Sequence, residues 1–242
     1  MLTILALDTA VSACSVALWR DGGTRARRLE AMTRGHAEAL LPMVESVMAE
    51  ARLAYPGLDM IAATVGPGTF TGLRVGLATA RGLALACARP LLGVGTLEAL
   101  AQGTGEVERR GRHVLAVMDA RRGELYAELF ASDLASLAGP RRILPEALGA
   151  LAAGASLLLV GDGASAATKA LPGADLLRSQ APPYPDAAGV AAIAARTPER
   201  ARPGQEVRPL YLRGPGASPP GASPPGAGSP GAGAPAGRRP GG

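Results

Sequence analysis

The stretch Leu2-Thr3-Ile4-Leu5-Ala6-Leu7-Asp8-Thr9-Ala10-Val11-Ser12-Ala13-Cys14-Ser15-Val16-Ala17-Leu18-Trp19-Arg20-Asp21-Gly22-Gly23 decides the fold. Residues 2–7 form a β-rich apolar run ending at Asp8, and residues 9–12 are small turn formers. Residues 14–19 resume an extended pattern, and Asp21-Gly22-Gly23 is a hairpin turn signal of the Asp-Gly class. Residues 24–32 read as a third, more polar strand. Antiparallel strands around an acidic turn therefore open the chain. Helices follow: Ala37, Leu40, Leu41, Val44, Val47, Met48 and Ala51 fall on one helical face, with Pro42 in the early turns.

Farther along, residues 58–65 read as a strand stopped by Gly66-Pro67-Gly68, after which Thr69 or Thr71 caps a second helix running to about residue 88. In that helix Gly72, Gly76 and Ala80 recur every four residues and share a face. An interior glycine costs about 1 kcal/mol relative to alanine, so the spacing implies close approach of another backbone: the chain's own sheet, or a second protein. A short strand at 92–94, a helix start at 97–102 and a polar, glycine-containing segment at 103–111 follow. Residues 113–119 and 124–130 form a hairpin around Ala120-Arg121-Arg122-Gly123, residues 157–160 a buried strand, residues 190–196 a helix, and residues 210–212 close the body. Alternating strands and helices predict an α/β protein, with one lobe over 1–105 and a second over 106–213.

Composition narrows the function. Of 242 residues 48% are hydrophobic and 3% aromatic, enough chain to bury a substantial core. Residues 214–242 hold 10 Gly, 8 Pro, 6 Ala, 3 Ser and 2 Arg, a composition without side chains to bury, which predicts disorder. Net charge is +5, of which Arg238 and Arg239 supply +2, so the body carries no excess that would by itself favour tight nucleic-acid binding. Cys14 and Cys87 lie in apolar surroundings without CxxC spacing and read as buried thiols of a reducing, cytoplasmic compartment. Asp8 interrupts the first apolar run and no basic segment precedes it, which argues against a signal peptide. The run at 147–160 is shorter than the ~20 residues of a spanning helix.

Asp8, Asp119 and Asp162 each end a strand. Asp8-Thr9 with Ser12, and Asp119 before Arg121-Arg122-Gly123, could form the two phosphate turns of an actin-like ATPase; strand-end aspartates also cap turns for purely structural reasons. Residues 66–72 lack the lysine of a Walker loop, and Pro67 removes a backbone donor. His36 has Leu40 rather than a second histidine at i+4, so no metal site is expected, and neither a Ser-His-Asp nor a Cys-His arrangement is evident. No catalytic residues are assigned.

Several strings together carry a resemblance. Leu7-Asp8-Thr9, Gly35-His36-Ala37-Glu38, Gly66-Pro67-Gly68-Thr69-Phe70-Thr71-Gly72-Leu73-Arg74-Val75-Gly76, Met118-Asp119-Ala120-Arg121-Arg122-Gly123-Glu124-Leu125-Tyr126 and Pro209-Leu210-Tyr211-Leu212-Arg213 are similar to the TsaB (YeaZ) family, over essentially all of 1–213. That family is required for making N6-threonylcarbamoyladenosine in tRNA. The resemblance implies an actin-like (ASKHA, ribonuclease H-like) fold with a reduced second lobe. It also implies a non-catalytic paralogue of the threonylcarbamoyltransferase TsaD, whose His-x-x-x-His metal motif here ends in Leu40. The implied partners are TsaD, the ATPase TsaE and, through the complex, tRNA; the chain itself requires no cofactor, and ATP or ADP within the complex and a homodimer of the chain alone are compatible with it. The expected partner face comprises His36, Leu40, Val44, Val47, Met48, Thr71, Gly72, Val75, Gly76, Thr79, Ala80 and Leu83, with Asp8, Thr9, Ser12 and Asp119 as vestigial phosphate-site residues. The competing readings are an ATP-dependent small-molecule kinase of the same fold and a peptidase.

Overall fold

In the computed structural model, which describes residues 2–152 and 154–212, the opening stretch folds as its apolar runs and turn signals predict. β1 (Ile4–Asp8) and β2 (Ala13–Arg20) pair antiparallel, Leu7 opposite Val16 and Asp8 opposite Ser15. β3 (Gly23–Ala31) continues the meander. α1 (His36–Glu50), β4 (Met60–Gly66), α2 (Phe70–Ala86) and β5 (Leu91–Gly95) then add two strands parallel to β1, in the order β3-β2-β1-β4-β5. Two short helices, α3 (Thr96–Gln102) and α4 (Glu106–Arg109), lead into a second sheet.

That second sheet repeats the first. β6 (His113–Arg121), β7 (Glu124–Phe130) and β8 (Ser136–Ile143) form an antiparallel meander. After α5 (Leu148–Ala152), β9 (Leu157–Val160) runs parallel to β6; after α6 (Ala164–Ala170), β10 (Leu176–Arg178) runs parallel to β9. The order β10-β9-β6-β7-β8 is the first order read in reverse, each meander followed by two parallel strands. This is the duplicated, ribonuclease H-like architecture of actin-like proteins. The halves are unequal: α1 and α2 have 15 and 17 residues, α5 and α6 only 5 and 7.

Both faces of the first sheet are covered, which is why its strands read as continuous apolar runs rather than as alternation. Leu5, Leu7, Val16 and Ile61 pack against Leu40, Val44, Val47 and Met48 of α1 and against Leu77 and Ala80 of α2. On the opposite face Ile4, Ala6, Ala62 and Val94 meet Val190, Ala191 and Ala194 of α7 (Ala187–Arg196). The helix expected at 190–196 therefore begins three residues earlier, capped by Asp186, whose carboxylate accepts from the Ala188 amide. It also leaves the half in which chain order places it and returns to the first sheet. Val207 joins the α1/α2 core, and the Leu210 amide donates to the Val65 carbonyl (2.7 Å).

Sequence periodicity does not announce β8, β10, α5 or α6. β8 contains Gly139, Pro140, Arg141 and Arg142 and is largely exposed; at a sheet edge proline costs no ladder hydrogen bond. Cys14 is buried as expected, but Cys87, the C-cap residue of α2, has one side open to solvent and is only half-buried. No helix among the described residues is long and apolar enough to cross a membrane. The expected disordered tail, 214–242, lies outside the described residues.

Candidate functional site: the glycine-rich loop, the cleft and the outer face of two helices

The Gly66–Gly76 string docks the start of α2 onto the β1–β2 turn. Thr69 caps α2, its hydroxyl accepting from the Gly72 amide (3.1 Å), and its own amide donates to the Ala10 carbonyl (2.8 Å). The Thr9 hydroxyl donates to the Gly72 carbonyl (2.7 Å). A Cβ at Gly68 would lie 2.5 Å from the Ala10 carbonyl oxygen; one at Gly72 would overlap the Thr9 carbonyl, one at Gly76 the Thr9 hydroxyl and one at Gly66 the Leu210 carbonyl. The glycines are there because the same chain occupies the space a side chain would need, with backbone at Gly66, Gly68 and Gly72 and with the Thr9 hydroxyl at Gly76.

This corrects part of the expected partner face. Gly72, Gly76 and Ala80 point inward, and Leu40, Val44, Val47 and Met48 are buried in the core beneath α1 and α2. They are not surface. Of the expected positions, Thr71 is exposed and His36, Val75, Thr79 and Leu83 are half-buried. Periodicity puts Ala37 and Leu41 on the apolar face of α1, yet both face out, the latter 50% exposed, and it does not single out the outward Ala78 and Gly82 on α2. A Cβ at Gly82 would meet nothing within 4 Å.

The phosphate-turn expectation divides similarly. Asp8 is wholly buried, Oδ1 accepting from the Thr64 hydroxyl (2.6 Å) and the Ala10 amide (3.2 Å), while Oδ2 meets no partner among the described residues. Burial, opposed by those two hydrogen bonds and aided by nearby Asp186, pushes its pKa up to about 7. Thr9 is buried and committed to Gly72. Neither faces a ligand, because the glycine-rich loop is clamped over the turn that would have to stay open to admit phosphate. Ser12 and Asp119 do reach a cleft of about 740 Å³ between the two halves, with Arg34, Glu38, Tyr126 and Asp162.

Within that cleft Asp119 is occupied by its own hairpin. Its Oδ1 accepts from the Arg121 amide (2.7 Å) and its Oδ2 lies 3.3 Å from the Arg121 guanidinium, holding a turn in which Arg121 and Arg122 both adopt positive φ. The Asp119 amide donates to Asp162 Oδ1 (2.9 Å). Burial, reinforced by the Asp119 charge and offset by the amide bond, raises the Asp162 pKa. His36 sits at the cleft edge with Nε2 2.9 Å from the Val11 carbonyl; since a carbonyl only accepts, this nitrogen carries the proton. Among the described residues no three His, Cys, Asp or Glu side chains are grouped to hold a metal ion.

Residues 30–157 match the family model described as TsaD, tRNA N6-adenosine threonylcarbamoyltransferase, a span that holds α1 and α2, the parallel strands β4 and β5 of the first sheet and the meander β6–β8 of the second. A solved structure of YeaZ from Pseudomonas aeruginosa superimposes with a TM-score of 0.78 at 32% identity, covering 88% of this chain and 100% of that one. The chain belongs to the TsaB/YeaZ family. The Escherichia coli tRNA threonylcarbamoyladenosine biosynthesis protein TsaB is 45% identical over 123 residues, 51% of this chain and 52% of that protein. The match thus spans about half the length of that TsaB. An uncharacterized Mycobacterium tuberculosis protein is 34% identical over 220 residues, 90% of this chain and 94% of its own length. In this TsaB/YeaZ chain the glycine string is an internal clasp, and the positions that α1 and α2 leave accessible include Leu41, Ala78, Gly82 and, near the end of α2, Leu85.

Proposed function

We propose that the chain is a non-catalytic subunit in N6-threonylcarbamoyladenosine formation in cytoplasmic tRNA, pairing with TsaD through the outer face of α1 and α2 and bringing in the ATPase TsaE. One observation carries the reading: α1 and α2, which pack against each other, keep Leu41 half exposed on one helix and Ala78 and the bare backbone of Gly82 exposed on the other. Small residues let a facing helix come close, and the apolar area removed on association is the main favourable term. The printed name of the E. coli relative and the TsaD family match over both helices support the pathway and the kind of partner. The closed turn at Asp8 supports a binding rather than a phosphoryl-transfer role.

Light scattering on the chain mixed with TsaD tests this. The wild type gives a heteromer, and Gly82→Arg or Ala78→Arg abolishes it without lowering the isolated chain's melting temperature, since both positions are open and arginine is a good helix former. A heteromer that persists in both variants overturns the face; no heteromer with the wild type, and unchanged tRNA modification on depletion, overturns the function.

A further inference from the structure

A groove of about 560 Å³ on the opposite end of α2 from the glycine clasp is built by three segments. Arg81 comes from the penultimate turn of α2, Arg89 from the turn after it, and Arg202 from the segment that returns past β5. A two-way backbone bridge holds the third against the second: the Leu91 amide donates to the Arg202 carbonyl (2.8 Å) and the Arg202 amide to the Leu91 carbonyl (2.9 Å). A Cβ at Gly204 would sit 3.8 Å from Arg81 Cα, so the same returning segment lies along Arg81.

None of the three guanidinium groups has a carboxylate partner among the described residues. Arg81 donates to the Val207 carbonyl, Arg89 to the Pro56 carbonyl (2.9 Å), and Arg202 to the carbonyls of Glu199 (2.7 Å) and Ala201 (2.8 Å). The Nε–H groups of Arg81 and Arg89 are buried without an acceptor. No Asp or Glu lines the groove. Glu199 offers Arg202 its backbone, and Glu206 lies one residue beyond the wall at Gln205. Residues 213–242 contain no acidic side chain. The C-terminal dipole of α2 supplies roughly half a negative charge, against three positive ones. Guanidinium forks pair with carboxylate and phosphate alike, but three of them from three segments can engage more oxygens than a single carboxylate offers, which favours a multiply charged phosphate over a lone carboxylate or a neutral ligand.

We propose that the groove lined by Arg81, Arg89 and Arg202 binds phosphate groups, supplied by either the RNA backbone or a free polyphosphate. The site lies at the end of α2 away from the cleft, and it stands or falls independently of the TsaD pairing.

Fluorescence anisotropy with labelled tRNA and calorimetry with inorganic tripolyphosphate, both on the full chain, test it. Arg202→Glu is the informative variant, because that side chain bonds only neighbouring carbonyls and is exposed; Arg89→Gln is the second. Each weakens binding of the occupying ligand about tenfold with an unchanged melting temperature, the scale of one lost charge-assisted contact. If RNA is the source, tRNA binds more tightly than tripolyphosphate and the salt dependence drops by about one phosphate contact per arginine removed; if the ligand is small, tripolyphosphate binds and tRNA does not. Failure of both probes to bind, or binding unaltered in both variants, overturns the proposal. TsaD pairing, measured on the same variants by light scattering, stays intact, which separates this outcome from failure of the functional reading.

Discussion

Asp8 shows what a single carboxyl does when its fold closes over it. Its pKa rises from 3.8 to about 7 because burial disfavours the anion by more than the Thr64 and Ala10 hydrogen bonds favour it. A raised carboxyl holds its proton more tightly folded than unfolded, so its contribution to stability is complete below pH ~4 and erodes as pH climbs to about 7. With 1.36 kcal/mol per unit, the erosion between about pH 5 and pH 8 is on the order of 2.5 kcal/mol, a large part of a typical 5–15 kcal/mol stability. Glu128, also pushed to about 7 chiefly by burial, tilts stability the same way. Urea unfolding of the wild type near those two pH values therefore gives a lower stability at the higher one, and Asp8→Asn removes on the order of 2.5 kcal/mol of the difference. A variant as pH-dependent as the wild type would show that Asp8 is ionised in the fold at neutral pH. Sequence places Asp8 at the end of a strand, as found; it does not reveal that Thr9, two turns of α2 and a loop would be folded down over it.

At the scale of the element, α2 separates two kinds of glycine that sequence treats alike. Gly72 and Gly76 recur at helical spacing, and spacing establishes only that they share a face; what the face meets depends on a turn some 60 residues away. Gly82 carries the same propensity cost but faces open space. The same substitution must then act in opposite directions along one helix. Gly82→Ala recovers about 1 kcal/mol of helix propensity and raises the melting temperature. Gly72→Ala drives a methyl into the Thr9 carbonyl, which is backbone and cannot rotate aside, and costs about 1–3 kcal/mol net. Denaturant midpoints of the two variants check this: a stabilised Gly72→Ala would mean the clasp at Thr9 is loose. Gly76→Leu is accordingly a poor probe of any interface, since it breaks the clasp before a partner is met.

Over the whole molecule, the two halves share a strand order but not a division of labour. Much of the first half was legible because its strands are doubly covered apolar runs and its helices long enough to show a period; the second was less so, because α5 and α6 span one or two turns and β8 is a polar edge carrying Pro140. The return of α7 to the first sheet has no local signature, as Val190, Ala191 and Ala194 would suit either core. Short helices also limit what the second half can offer outward: among the described residues only α1 and α2 exceed ten residues, and that half supplies no second pair of such length. The heteromer proposed above is therefore expected to contain one copy of this chain for each such surface engaged, and to depend on one half alone. Ser165→Arg, an exposed position on α6, leaves the mass of the complex with TsaD unchanged, whereas Gly82→Arg on α2 returns the two chains to their separate masses. Loss of the complex with Ser165→Arg, in a chain that melts normally, would move the contact to the second half and make the unequal helix lengths irrelevant to pairing.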